Sequence, residues 1–212
     1  MALECRPFHR EVDISITSID TAEQIDSVEN LRPNLAVLIG GSIAIGLVSL
    51  VSLPGPVAIA SIVLGVLMLA GADVDARSYL LPNVVTWGAT LCGVGSAWFL
   101  DELNPWLATS DAILRAMSTA GLLALLRWIY GSIRHREGLG LGDVKLAAAV
   151  GAWLPLEVIP LCFGLATSGA LVTILWGHVR GKHVERTMKI PLGSFLCPAL
   201  WFAFYASNLP TG

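Results

Sequence analysis

Seven apolar runs divide most of this chain, at about Leu35–Leu53, Val57–Ala72, Val84–Leu100, Ala112–Tyr130, Gly138–Leu154, Glu157–Gly177 and Ile190–Ser207. A helix needs about 20 residues, with 17 acceptable, to cross roughly 30 Å of hydrocarbon. Several runs sit at that lower limit, and the fifth reaches it only if it begins at Gly138. Of the 212 residues, 55% are hydrophobic and 14% charged, against about 25% charged in a soluble domain. That excludes a globular soluble enzyme. The expected fold is all-α, a polytopic transmembrane bundle of about six or seven helices.

The first 34 residues differ. They hold seven acids (Glu4, Glu11, Asp13, Asp20, Glu23, Asp26, Glu29) and three arginines, with no basic start followed by an apolar core. No cleavable signal is expected. Residues 1–34 are read as a polar cytoplasmic extension and 35–208 as the membrane domain.

Basic residues set the orientation. With seven crossings, Arg6, Arg10, Arg32, Arg77, Arg134, Arg136, Arg180, Lys182, Arg186 and Lys189 all fall on one side, while connections 54–56, 101–111 and 155–156 carry none. That side is assigned to the cytoplasm. Arg115 is the exception, read as snorkelling from the external end of the fourth helix. Six tryptophans (Trp87, Trp98, Trp106, Trp128, Trp153, Trp176) fall near helix ends, as an interfacial belt requires.

Against this background two acids stand out. Asp143 closes Gly140-Leu141-Gly142-Asp143 at the mouth of the fifth run, and Asp75 follows the second. An ionisable side chain at the edge of hydrocarbon is costly and marks a functional site by default. The topology puts both on the cytoplasmic face, separated by two helices. Two close carboxylates tend to share one proton, so one can act as base on water while the other acts as acid. Gly138, Gly140 and Gly142 remove side chains there, so that a substrate backbone could approach. Taken alone, Gly-x-Gly-Asp is better explained as a capped loop. The joint placement of the two aspartates brings the catalytic reading level with that one. Helix dipoles assign the resting anion to Asp143, at a helix start, and the proton to Asp75, past a helix end.

Asp75-Ala-Arg-Ser-Tyr-Leu-Leu-Pro82-Asn83 resembles the first signature of the prepilin peptidases, the type IV leader peptidases, membrane aspartic proteases of the GxGD type. Gly138-Leu-Gly140-Leu-Gly142-Asp143-Val-Lys145-Leu146 is similar to their second, and Pro191-Leu-Gly-Ser-Phe-Leu196 to an element near their last helix. The resemblance implies Asp75 and Asp143 as the catalytic pair. Gly138, Gly140, Gly142, Pro82, Asn83 and Lys145 are then motif or substrate-binding residues. It also implies removal of the leader of prepilin or pseudopilin precursors at the cytoplasmic face of the inner membrane. Larger members also methylate the new N-terminus with a region carrying paired zinc-binding cysteines. Cys5, Cys92, Cys162 and Cys197 form no such pairs, so peptidase activity alone is expected.

Pro82 and Asn83 are expected to begin the third helix. For Arg77 and Lys145, contact with lipid phosphate is favoured over contact with substrate. The partners are the precursor and the lipid bilayer. No metal, cofactor or nucleic acid is expected, since no HExxH or comparable ligand spacing occurs.

Two other readings compete. Pro198-Ala199-Leu200 with Gly-Leu-Gly-Asp is similar to the presenilin and signal peptide peptidase group, but that group carries its first aspartate as Tyr-Asp, which Asp75 does not match. A transporter with proton- or ion-binding aspartates is the non-enzymatic alternative.

Overall fold

The structure, a computed structural model, describes residues 35–78, 81–134, 140–180 and 192–210. The polar N-terminal extension, Gly138 and the basic residues of the 181–191 segment lie outside the described residues. Among those described there are seven helices and no strand: α1 (Leu35–Ser52), α2 (Gly55–Ser78), α3 (Asn83–Leu100), α4 (Pro105–Arg134), α5 (Leu141–Trp153), α6 (Ile159–Val179) and α7 (Leu192–Ser207). Each falls on one of the seven apolar runs. Four are long and apolar enough to cross a membrane: Leu35–Ser52, Gly55–Ser78, Pro105–Ile133 and Ile159–Gly177.

Leucines, isoleucines and valines lie exposed along α1, α4 and α6 (Ile43, Leu114 and Leu171 among them). A soluble protein does not leave apolar surface on that scale in water. Against lipid tails it carries no penalty. The chain is a multi-pass membrane protein.

Helix α5 sits at the centre. It packs against α3 and α4 along its length and touches α6 and α7 more lightly. Its 13 residues make a rod of about 20 Å, short of a full crossing. Leu146, Ala147, Ala149 and Val150 are fully buried. Small residues let the neighbours close in, as membrane helices require when no hydrophobic drive separates lipid from protein. At Gly151 an added Cβ would lie 2.3 Å from the Arg115 carbonyl oxygen of α4. The Thr119 hydroxyl of α4 also donates to the Ala147 carbonyl at 2.9 Å.

On the other flank α2 contacts α1, α3 and α7. Ser49 of α1 and Ser61 of α2 share a buried hydrogen bond of 2.9 Å, and the Trp201 indole N–H of α7 donates to Ser61 at 3.2 Å. These bonds tie three helices together where water is absent.

Several details depart from expectation. Helix α2 continues through Ser78, so Asp75 lies in its last turn and not in a loop. The Asp73–Arg77 ion pair at i, i+4 and the Ser78 hydroxyl on the Val74 carbonyl (2.8 Å) support that turn. Helix α4 starts at Pro105, ahead of its apolar run, because Asp101 caps the approach by accepting the N–H groups of Leu103 (3.1 Å) and Asn104 (2.9 Å). Trp153 is no belt residue: it is buried, and its indole N–H donates to the Ala89 carbonyl at 2.7 Å. Trp87, Trp98, Trp106, Trp128 and Trp176 are exposed, as a belt requires. Arg115, read as snorkelling, is half-buried at the end of the bundle where the 101–104 connection lies. It reaches the Gly151 carbonyl at 3.4 Å and lines a cavity of about 700 Å³ with Asp101, Asp111 and Asn208.

Candidate active site

Asp75 follows Val74 into the buried side of α2, and only 6% of it is exposed. Its Oδ2 accepts the backbone N–H of Ser194 at 2.7 Å, across 119 residues of sequence. Ser194 stands in the first turn of α7, where backbone N–H groups have no partner within the helix. Gly193 makes the approach possible, since a Cβ there would lie 2.8 Å from the same oxygen. Asp75 thus occupies the end of one helix and the start of another.

Asp143 is the third residue of α5, and Gly140 is the N-cap, in extended backbone at φ −68° and ψ 148°. The carboxylate turns back on Gly140 and accepts its N–H. This is the reciprocal half of a capping box, with the acid at the third helical position. The capping and functional readings of this residue coexist.

The two acids are within electrostatic reach of each other, as the charge of Asp75 acts on Asp143. Both charges also reach the thiol of Cys197, which is fully buried one turn into α7 beyond Ser194. The ends of α2, α5 and α7 therefore converge on one cluster. With α7 included, the dipole assignment of the anion to Asp143 loses its basis. Asp75 too lies at a helix N-terminus, that of α7, which offsets the unfavourable end of α2.

The motif residues frame the pair. Pro82 caps α3 with φ −61° and ψ 135°, and its carbonyl accepts the N–H groups of Val85 (3.1 Å) and Thr86 (3.3 Å). Asn83 is the first helical residue. Its Oδ1 accepts from the Lys145 ammonium at 2.6 Å, joining the start of α3 to the first turn of α5. Arg77 pairs with Asp73 on its own helix. Each cation thus has a partner within the chain.

Leu81 was not singled out from sequence, yet it sits between the helices that carry the acids. A Cβ at Gly142 would meet Leu81 Cβ at 3.1 Å, and one at Gly193 would meet its Cδ1 at the same distance. The space that the glycine motif leaves is therefore taken from within. Leu81 fills it at Gly142, and the Asp143 carboxylate lies 3.3 Å from a Cβ at Gly140. Gly193 and Ser194 were likewise missed as site residues; the only signal was the Pro191-Leu-Gly-Ser element. Among the described residues, no three His, Cys, Asp or Glu side chains gather closely enough to hold a metal ion.

This is a membrane helix bundle with two carboxylates within electrostatic reach of each other at one end. Residues 62–176, more than half of the chain, match the model of the type IV leader peptidase family. A "Prepilin leader peptidase/N-methyltransferase" of Xanthomonas campestris pv. campestris is 31% identical over 149 residues, covering 70% of this chain and 50% of that protein. One of the same description from Aeromonas hydrophila is 30% identical over 155 residues, covering 71% and 50%. "Leader peptidase HopD" of Escherichia coli is 36% identical over 126 residues, covering 59% of this chain and 78% of that protein. The chain belongs to the type IV leader peptidase family. It spans about half the length of the two relatives named first. No solved structure matches it.

Proposed function

We propose that the chain is a membrane aspartic endopeptidase of the GxGD type that removes the leader from type IV prepilin-like precursors. Asp75 and Asp143 are the catalytic pair. The observation that carries this reading is that two acids from helices far apart in sequence come within electrostatic reach at one end of the bundle. Both lie inside the stretch that matches the family. The names of the relatives, all leader peptidases, support the substrate class.

In the pair, one carboxylate holds a proton and the other is an anion. The anion takes a proton from water as its oxygen attacks the scissile carbonyl, while the protonated partner donates to the carbonyl oxygen. Collapse of the tetrahedral intermediate breaks the C–N bond, and the leaving amine takes a proton from the pair. Asn83 and Lys145 hold the starts of α3 and α5 in register, so that Asp143 stays opposed to Asp75. Pro82, Gly140 and Gly142 complete that frame, with Gly138 in the same motif.

The positive-inside count supports a cytoplasmic-facing site in the inner membrane, with residues 35–208 as the membrane domain behind a polar extension. The absence of a cysteine pair among Cys5, Cys92, Cys162 and Cys197 supports peptidase activity without methyl transfer by these residues. The partners are the precursor and the bilayer, and no cofactor takes part.

Co-expression with a prepilin substrate tests the reading. Asp75→Asn and Asp143→Asn should each abolish leader removal at normal protein levels, read by the mobility of the substrate. Retained cleavage in either variant refutes the dyad.

A further inference from the structure

Helix α7 lies beyond the residues that match the family, yet it supplies the hydrogen bond that fixes one of the two acids. We propose that the first turn of α7 is a positioning element of the active site: Gly193 admits the Asp75 carboxylate and the Ser194 N–H holds its Oδ2. This inference rests on the reading of Asp75 as catalytic.

Three observations carry it. First, the bond is short, at 2.7 Å, and joins groups 119 residues apart, so no local turn geometry produces it. Second, the contact depends on Gly193, where a Cβ would lie 2.8 Å from Asp75 Oδ2 and 3.0 Å from its carboxyl carbon. Only a residue without a side chain lets the carboxylate reach the backbone. Third, Asp75 stands in the last turn of α2, whose dipole opposes an anion. The start of α7 supplies both a donor and a favourable dipole at that spot. Asp75 in turn satisfies one of the N–H groups that every helix start leaves open. With Oδ2 engaged in this way, Oδ1 is the oxygen presented to water. Gly193 and Ser194 act through Asp75 and are positioning residues.

The test uses the full chain purified in detergent, with cleavage of a prepilin substrate as the rate assay. Proline is tolerated in the first turn of a helix, so Ser194→Pro deletes the donor while keeping the turn. Ser194→Ala keeps the donor and removes the hydroxyl. We expect Ser194→Pro and Gly193→Ala to lower kcat by about 10- to 100-fold with KM within twofold, and Ser194→Pro to fall well below Ser194→Ala. Equal rates for the Pro and Ala variants, or kcat within twofold of wild type for Ser194→Pro and Gly193→Ala, overturn the proposal while an inactive Asp75→Asn leaves the dyad standing. An active Asp75→Asn removes the dyad and the proposal together.

Thermal unfolding gives a readout independent of turnover. Gly193→Ala should lower Tm in the wild-type background and lower it less when Asp75 is already alanine, because the clash is with that carboxylate. The same shift in both backgrounds overturns the proposal.

Discussion

Replacing Gly151 by alanine places a methyl group where the α4–α5 interface has no room for one. The new Cβ would lie 2.3 Å from the Arg115 carbonyl oxygen and 2.3 Å from Thr119 Oγ1. A relaxed carbon–oxygen contact is about 3.3 Å or more, so the two helices must separate by about 1 Å. The hydroxyl of Thr119 can rotate away, but the carbonyl belongs to the backbone of α4 and cannot. Overpacking of this kind costs about 1–3 kcal/mol. If Thr119 turns aside, its bond to the Ala147 carbonyl, 2.9 Å long, is lost at about 1 kcal/mol more. The expected destabilisation is roughly 2–4 kcal/mol.

The same shift reaches the site, because Gly151 and Asp143 share the short helix α5. Moving one acid of a pair by about 1 Å can cost on the order of 100-fold in rate. Thermal unfolding in detergent, followed by tryptophan fluorescence, measures the first effect, and cleavage of a prepilin substrate measures the second. Gly121→Ala on α4 is the control, since nothing lies within 4 Å of its added Cβ. It should be neutral or gain about 0.5–1 kcal/mol from helix propensity. If Gly151→Ala proves as stable and as active as Gly121→Ala, the close approach of α4 and α5 is refuted.

Three further outcomes follow from named contacts. Asn83→Ala and Lys145→Met should show a coupling of about 1 kcal/mol in a double-mutant cycle on stability, a value kept low because the pair is partly exposed; strict additivity would deny the bond between the motifs. Trp153→Phe should cost about 1 kcal/mol in thermal unfolding through loss of the bond to the Ala89 carbonyl, whereas Trp87→Phe at an exposed position should stay within about 0.5 kcal/mol. Ser61→Ala should cost about 0.6 kcal/mol, typical of a hydrogen bond between membrane helices, and leave cleavage within about twofold of wild type, below the tenfold step that 1.4 kcal/mol represents; a large loss of cleavage would place the Ser49–Ser61–Trp201 bonds in the site.

Apolar length made the helices legible, because in lipid every backbone polar group must bond within its own segment. Polar composition misled at the end of α2. Asp73, Asp75 and Arg77 read as a loop after α2, yet the Asp73–Arg77 pair and the burial of Val74 extend the helix past them. Position along a helix also misled for Trp153. Sequence places it near an end like the belt tryptophans, but Gly93 opens a slot on α3 that takes its indole inward, where an added Cβ would lie 2.8 Å from the ring. At the candidate site the legible parts are side chains: Asp75 and Asp143 from their place beside apolar runs, Asn83 and Lys145 from the motifs they resemble, though not the bond that joins these last two. The missing parts were a backbone N–H at Ser194, an absent side chain at Gly193 and an ordinary leucine at Leu81. None has a side-chain signature, and their roles exist only once α7 is packed against α2.

That packing also explains how two acids persist together at one end of an apolar bundle. Each carboxylate raises the cost of ionising the other, and water is scarce to offset it. What meets them are two helix starts, with Gly140 of α5 donating to Asp143 and Ser194 of α7 donating to Asp75. Each start contributes a partial positive charge of about half a unit, aimed at the place where the pair would hold one negative charge. The glycines at both starts serve this arrangement more directly than they serve an open path for a substrate. Gly193 lets a carboxylate reach the backbone, and Gly142 lets Leu81 pack between the two starts. A site built in this way depends on where three helices end, which is why a side chain added at a helix interface far from the acids should still be felt at the reaction.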